Sequence, residues 1–374
     1  MKPIQMVDLK SQYLKIKPEI DRKLDAVFDS TAFINGTFVK NFQSNLEKYL
    51  GIEHVIPCGN GTDALQIALM ALDLEPGDEV ITTPFTFIAT AEVIALLGLV
   101  PVFVDCRYDT FNMDVTKIEK AITPKSKVIL PVHLFGQCCD MEEIVSIATD
   151  YNLYVIEDAC QSIGSEYTDS SGKTRKAGTL GDIGCTSFFP SKNLGCYGDG
   201  GAVFTRDEKL AHKMRGIANH GMFTRYYHEM IGVNSRLDTI QAAVLDVKLQ
   251  YLDQYNAARQ QAAACYDKAF KGHSNIETPV ISPYSSHVFH QYTVKLNNVD
   301  RIGLTEGMKE AGIPVMIYYP VPLHLQKAFE YLGKKRGDFP VAEMLCDRVI
   351  SLPMHTELSL DQLDYITSQF LKLI

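Results

Sequence analysis

The stretch Thr186-Ser187-Phe188-Phe189-Pro190-Ser191-Lys192-Asn193-Leu194-Gly195-Cys196-Tyr197-Gly198-Asp199-Gly200-Gly201 sets one lysine between an apolar run and a glycine-rich turn. A lone lysine is ordinarily a solvated surface residue. Held in a cofactor pocket, its amine can form a Schiff base with a carbonyl, the chemistry pyridoxal phosphate requires. The same glycines could suggest a nucleotide-binding turn. They lead into a strand rather than opening a helix, so that reading fails its structural context.

Two further stretches could serve such a site. Val155-Ile156-Glu157-Asp158-Ala159-Cys160-Gln161-Ser162 ends an apolar strand in two carboxylates, at the end where open α/β sheets bind ligands. A carboxylate there is either a solvated loop residue or a buried counter-charge for a cationic ring nitrogen. Glu157 is the less suited of the two, because it precedes the turn and Asp158 alternates to the other face. Asn60-Gly61-Thr62-Asp63-Ala64-Leu65 opens a helix after a strand. Free N–H groups, positive potential and a glycine there make a phosphate cradle. Taken alone, an ordinary helix capped by Thr62 or Asp63 is the simpler reading.

Other chemistry-bearing residues have plainer readings. Cys138-Cys139, Cys160 and Cys196 read as small core residues. Nine cysteines without a CxxC pair make no disulfide framework, so reduced thiols and a cytoplasmic location are expected. His287 and His290 form an HxxH with no carboxylate or cysteine at ligand spacing, so no metal is expected. Tyr226-Tyr227 and Tyr318-Tyr319 could stack a base or simply pack. Arg225 and Arg236 could meet a diphosphate or a carboxylate, or be solvated.

The elements that must position these residues follow from periodicity. Strands are predicted at His54–Pro57, Glu79–Thr82, Val100–Val104, Lys127–Pro131, Tyr154–Glu157, Thr186–Phe189 and Gly201–Thr205. Helices fall between them at Ala64–Ala71, Ile88–Leu97, Val115–Ala121 and Met141–Tyr151. That alternation is the mark of a parallel sheet covered by helices. Beyond residue 205, Asp207–Asn219 and Leu237–Phe270 read as long helices. Strands at Val288–Leu296 and Val315–Ile317 then mix with helices at Leu304–Ala311 and Pro340–Val349. The expected division is a large α/β domain over 1–255 and a small C-terminal α+β domain over 256–374.

Length and composition agree with two globular domains: 374 residues, 46% hydrophobic and 22% charged. With 36 Lys+Arg against 45 Asp+Glu, the net charge of −9 leaves no electrostatic footprint for nucleic acid. The longest apolar stretch, Val93 to Val104, is broken by Gly98 and Pro101 and is too short to span a membrane. The N-terminal residues carry Asp8, Lys10 and Gln12 where a signal peptide would be apolar.

Taken together, these stretches resemble the DegT/DnrJ/EryC1/StrS family of sugar aminotransferases. The resemblance rests on Asn60–Leu65, Pro84-Phe85-Thr86-Phe87-Ile88-Ala89-Thr90, Glu157–Ser162 and the Lys192 segment. It continues through Asn219-His220-Gly221, Gly232-Val233-Asn234-Ser235-Arg236-Leu237 and Tyr319-Pro320-Val321-Pro322-Leu323-His324. It covers essentially the whole chain and implies the aspartate aminotransferase fold with pyridoxal 5′-phosphate as cofactor.

By the same resemblance, Lys192 is the cofactor-linked lysine and proton shuttle, and Asp158 the partner of the pyridine nitrogen. Phe87 stacks on one ring face, and Gln161 lies against the other face or the phenolic oxygen. Gly61, Thr62, the Asp63 backbone and Ser187 hold the phosphate, and Asn234 reaches it from a neighbouring subunit. That implies a homodimer with shared active sites. Tyr319 and His324 would line the sugar pocket, and Arg236 would read a carboxylate at sugar C-6 unless it pairs with Asp238 or caps the next helix. Some family members carry His in place of the lysine and are dehydratases; with Lys192 present, transamination is expected. The implied reaction moves an amino group from glutamate to a nucleotide-linked keto sugar. UDP-2-acetamido-3-keto-glucuronic acid, an O-antigen precursor in lipopolysaccharide biosynthesis, is the implied substrate. The alternatives are a dTDP-3-keto-6-deoxyhexose and, in another class, a non-catalytic regulatory or binding protein on the same fold.

Overall fold

A computed structural model describes residues 2–374. Its centre is a seven-stranded sheet whose strands begin, in spatial order, at residues 54, 201, 183, 154, 126, 79 and 100. Five of them run parallel from Ile183–Ser187 out to Val100–Phe103. Gly201–Thr205 runs antiparallel to both its neighbours, His54–Cys58 and Ile183–Ser187. The sheet is therefore mostly parallel. Val80, Ile81, Val128, Ile129 and Ile156 are fully buried. Helices on both faces take up such runs, as a parallel sheet requires. Gly61–Met70 and Glu208–Ala218 share one core with these strands, and Met141–Tyr151 belongs to another.

Several expected elements differ. The strand expected at Thr186–Phe189 lies at Ile183–Ser187. Pairing with Gly201–Thr205 starts at Ile183 and ends at Ser187, and Gly184 and Cys185 conceal the apolar period that marks its start. Leu237–Phe270 is two helices, Thr239–Leu249 and Leu252–Phe270. The last turn tightens through Gln250 N–H to Val247 O and Tyr251 N–H to Lys248 O, and the chain leaves the first axis there. Only Tyr292–Leu296 of the strand expected from Val288 is regular, and Met316 forms a single bridge to Ser351 in place of a strand at Val315–Ile317.

Unanticipated helices at Leu9–Ser30 and Thr37–Leu50 pack on Thr239–Leu249 through Ile16, Ile20, Phe42 and Leu46. A three-stranded sheet of Ile276–Glu277, Tyr292–Leu296 and Val349–Leu352 gathers a C-terminal core around Tyr266, Met308, Ile350 and Ile366. Helix Leu252–Phe270 begins in the core of Phe42 and Leu245 and ends in that C-terminal core. A shared cluster of Phe85, Phe103 and Phe135 with Phe329, Phe339 and Leu345 joins the sheet region to the C-terminal segment.

Candidate active site

The strand Tyr154–Asp158 delivers two adjacent carboxylates to opposite faces, and their surroundings separate their roles. Glu157 is fully buried. It accepts from the N–H groups of Gly178 (2.9 Å), Leu180 (2.6 Å) and Gly181 (2.6 Å), and meets His133 Nε2 at 2.8 Å. Its acceptor capacity is consumed by the fold. Asp158 accepts from Thr90 Oγ1 at 2.8 Å and from its own turn, at the N–H of Cys160, at 3.2 Å. Thr90 spends its proton on Asp158, so Thr86 Oγ1, 3.2 Å away, donates to Thr90 in turn. This hydroxyl relay fixes the carboxylate while leaving acceptor positions for a ligand.

Lys192 lies on the turn after Ile183–Ser187. Its N–H donates to Phe189 O, and the turn closes from Cys196 N–H to Phe188 O, both at 2.8 Å. Asn193 Nδ2 donates to Asn256 Oδ1 (2.7 Å) and Val288 O (2.9 Å), and the buried Lys248 donates to Gly195 O. A Cβ at Gly195 would come 2.3 Å from Pro190 O, so only glycine lets the turn close this tightly. Burial pushes the Lys192 ammonium below its ordinary value, opposed by the nearby Asp158 carboxylate. The amine and the carboxylate therefore share one low-dielectric neighbourhood.

Helix Gly61–Met70 adds a third stretch. Asn60 caps it by accepting from the N–H of Asp63 at 2.8 Å. The amides of Gly61 and Thr62 lie at the helix start, where no carbonyl of the helix can reach them. A Cβ on Gly61 would come 2.6 Å from Ser187 Cβ and 3.1 Å from Cys160 Sγ. Three distant stretches thus converge on a cradle that a single methyl group would fill. The Asp63 carboxylate turns away from it and accepts from Ser235 Oγ at 2.6 Å, while Ser235 accepts from the N–H of Gly59.

Phe87 is 55% exposed and tilts 38° to Tyr319, 6.5 Å between ring centres. Gln161 Oε1 accepts from the N–H of Phe135 at 2.8 Å, and its Nε2 reaches Tyr319 Oη at 3.1 Å. The fold thus brings together Lys192, Asp158, Gly61, Thr62, Ser187, Phe87, Gln161 and Tyr319. It adds Thr86, Thr90 and Phe135, which sequence reading missed; the i,i+4 hydroxyls of Thr86 and Thr90 were the available signal.

Three expected residues lie apart from that group. His324 is buried with its Nε2 3.0 Å from Glu343 Oε1 and its ring 4.7 Å from Phe339, a core position rather than a pocket wall. Asn234 is exposed and forms a backbone bridge with Asn219. Arg236 neither pairs with Asp238 nor caps the helix after it. It donates to Asn219 Oδ1 at 3.4 Å and lines a cavity of about 430 Å³ with Lys40 and Arg215. Among the described residues no cluster of three metal-ligating side chains occurs and no helix is long and apolar enough to cross a membrane. His287 and His290 are buried; His287 accepts from the N–H of Phe289 at 3.0 Å.

Residues 14–371 match the DegT/DnrJ/EryC1/StrS aminotransferase family. A pleiotropic regulatory protein of Geobacillus stearothermophilus is 47% identical over 98% of this chain and 97% of its own. The UDP-2-acetamido-2-deoxy-3-oxo-D-glucuronate aminotransferase of Pseudomonas aeruginosa is 46% identical over 94% of this chain and 95% of its own. Among solved structures, DesV of S. venezuelae, in complex with a ketimine intermediate, superposes with a TM-score of 0.94. It is 36% identical, with 99% of this chain and 98% of that one covered.

Proposed function

The chain belongs to the DegT/DnrJ/EryC1/StrS aminotransferase family, and we propose that it aminates C-3 of a UDP-linked 3-keto sugar with glutamate as donor. UDP-2-acetamido-3-keto-glucuronic acid is the proposed substrate, supported by the 46% identity to the Pseudomonas enzyme that its name assigns to that sugar. A second relative of 42% identity, from Acidithiobacillus ferrooxidans, is named for a UDP-linked 3-dehydro sugar as well. Relatives named for dTDP-linked sugars stand at 37–38%, which leaves a dTDP-3-keto-6-deoxyhexose as the second substrate reading.

The enzyme is a sugar aminotransferase that depends on pyridoxal 5′-phosphate. The residues present fit that group. The Gly61 cradle takes a phosphate against free amides and Ser187, and Asp158 is a buried acceptor for a protonated ring nitrogen. When bound, the cofactor supplies an aldehyde and an electron-withdrawing ring. Asp158 holds the proton on the ring nitrogen, with Thr90 and the Cys160 N–H fixing its orientation. Lys192, its amine favoured toward the neutral form by burial, moves a proton at the substrate carbon that gains or loses nitrogen. Phe87 and Gln161 confine the ring plane.

The convergence of Lys192, Asp158 and the Gly61 cradle carries this reading. The name of the Geobacillus relative favours a regulator on the same fold; an intact amine, counter-ion and cradle are what such a protein would not need. We further propose a cytoplasmic homodimer in which Asn234 completes the partner's phosphate site, and a domain boundary at residue 255. Lys192→Ala tests the central assignment. The variant should lose several orders of magnitude in turnover yet still bind cofactor through the cradle. The wild type should show a visible absorption band that glutamate removes. Wild-type turnover by the variant would refute the assignment.

A further inference from the structure

The surroundings of Gln161 fix the direction of its hydrogen bond to Tyr319. The N–H of Phe135 stands 2.8 Å from one end of the Gln161 amide. A backbone N–H only donates, so that end is the oxygen. The other end is therefore the NH₂ group, and it meets Tyr319 Oη at 3.1 Å. An NH₂ group only donates, so the tyrosine oxygen accepts. Its own proton must point elsewhere, and among the described residues no acceptor takes it.

The frame that enforces this polarity is rigid. Phe135 sits at φ 58°, ψ −3° in a buried aromatic cluster, with ring centres 5.2 Å from Phe111 and 6.4 Å from Phe85. Its N–H has no room to swing away. The Tyr319 ring packs edge-on against Phe85 at 6.1 Å and tilts over Phe87 at 6.5 Å.

We infer that Tyr319 is a fixed hydrogen-bond donor to an oxygen of the ligand bound between Phe87, Asp158 and Lys192, oriented for that task by the chain from Phe135 through Gln161. This rests on the aminotransferase reading above. Burial, reinforced by the neighbouring Asp158 charge, raises the phenol well above its ordinary pKa, which keeps the proton available. The accepting oxygen belongs either to the cofactor, as its phenolic oxygen, or to the substrate, as a hydroxyl, carbonyl or carboxylate. The shared chemistry is a lone pair facing a neutral O–H.

The test pairs Tyr319→Phe with Gln161→Glu. The phenylalanine removes the proton outright. The glutamate still accepts from Phe135 N–H but presents an acceptor to Tyr319, which draws the phenol proton away from the ligand. Both variants should lose about tenfold to a hundredfold in kcat/KM for the nucleotide sugar, the scale of one hydrogen bond. The double variant should be within about twofold of the weaker single, because both remove one contact. If the oxygen is the cofactor's, the visible band of the substrate-free, cofactor-loaded variants will titrate at a shifted pH. If it is the substrate's, that titration will match wild type and KM will rise.

Folding is checked by the denaturation midpoint. Folded variants with wild-type titration, kcat and KM would overturn the inference, as would a loss in Tyr319→Phe that Gln161→Glu does not share. A wild-type protein lacking any glutamate-responsive band would overturn the aminotransferase reading instead.

Discussion

Replacing each of the two adjacent carboxylates by its amide should separate stability from chemistry. Glu157 holds four donors. Oε1 takes Leu180 and Gly181, and Oε2 takes Gly178 and His133 Nε2. His133 Nδ1 accepts from the N–H of Cys139 at 3.1 Å, so the ring proton is on Nε2 and points at the carboxylate. In Glu157→Gln, the NH₂ group must face two of these donors whichever way it turns. Two buried N–H groups lose their acceptor at about 1–3 kcal/mol each, a loss of about 2–6 kcal/mol in total. Asp158→Asn behaves differently. Its oxygen keeps the Cys160 N–H, its NH₂ donates to Thr90, and the Thr90 hydroxyl rotates to donate to Thr86. Stability should change by less than about 1 kcal/mol, while turnover falls more than about tenfold because an amide cannot hold a charged ring nitrogen. Urea denaturation of the cofactor-free variants and single-turnover kinetics with glutamate measure both quantities. A Glu157→Gln midpoint equal to wild type would refute the donor accounting. Asp158→Asn turnover within a factor of two would refute the counter-ion role.

Mixing Lys192→Ala chains with Asn234→Ala chains should restore part of the activity, since a hybrid dimer holds one intact site; no restoration under subunit exchange would exclude a shared site. Arg236 stands two residues from Asn234, which is proposed to complete the partner's site, so Arg236→Ala should cost about 2–3 kcal/mol in kcat/KM for a C-6 uronate, the scale of a charge-assisted bond. A 6-deoxy or 6-hydroxy analogue should lose much less, and equal losses would make Arg236 structural. Acid should unfold the protein through its buried histidines. Burial pushes His287 down to about 3 and His355 to about 4, whereas the unfolded chain protonates both near 6.5. Their contribution is complete above about pH 6.5 and is lost as pH falls toward 4, at up to about 1.4 kcal/mol per pH unit for each. His287→Gln should flatten that slope in urea titrations between pH 4 and 7; an unchanged slope would show that His287 is not the group taking up the proton.

What could be read along the chain was whatever its own local order encodes. The runs Glu79–Thr82 and Gly201–Thr205 and the helix Met141–Tyr151 stand in the structure with the bounds that periodicity assigns. Asp158 and the Asn60 turn were readable as candidates because they sit at a strand end and a helix start, where backbone geometry leaves groups for a ligand, and Lys192 because it stands alone on the glycine-rich turn that follows a strand. Helices Leu9–Ser30 and Thr37–Leu50 went unread. Their apolar residues recur at helical spacing, but the partner that buries them, Thr239–Leu249, lies about two hundred residues further along the chain. The Leu237–Phe270 break was equally hidden, since both halves keep helical spacing and only packing against two cores turns the chain. Within the site, the sequence determined which chemical groups exist and in what order. Tertiary structure decided their use: it spent Glu157 on backbone amides and left Asp158 open, buried His324 against Glu343, and turned Asp63 toward Ser235. It also set the polarity of the bond between Gln161 and Tyr319. The reason is physical. A side chain's type fixes what it can donate or accept, but which partners consume that capacity depends on residues brought near only when the sheet, its helices and the C-terminal core close together.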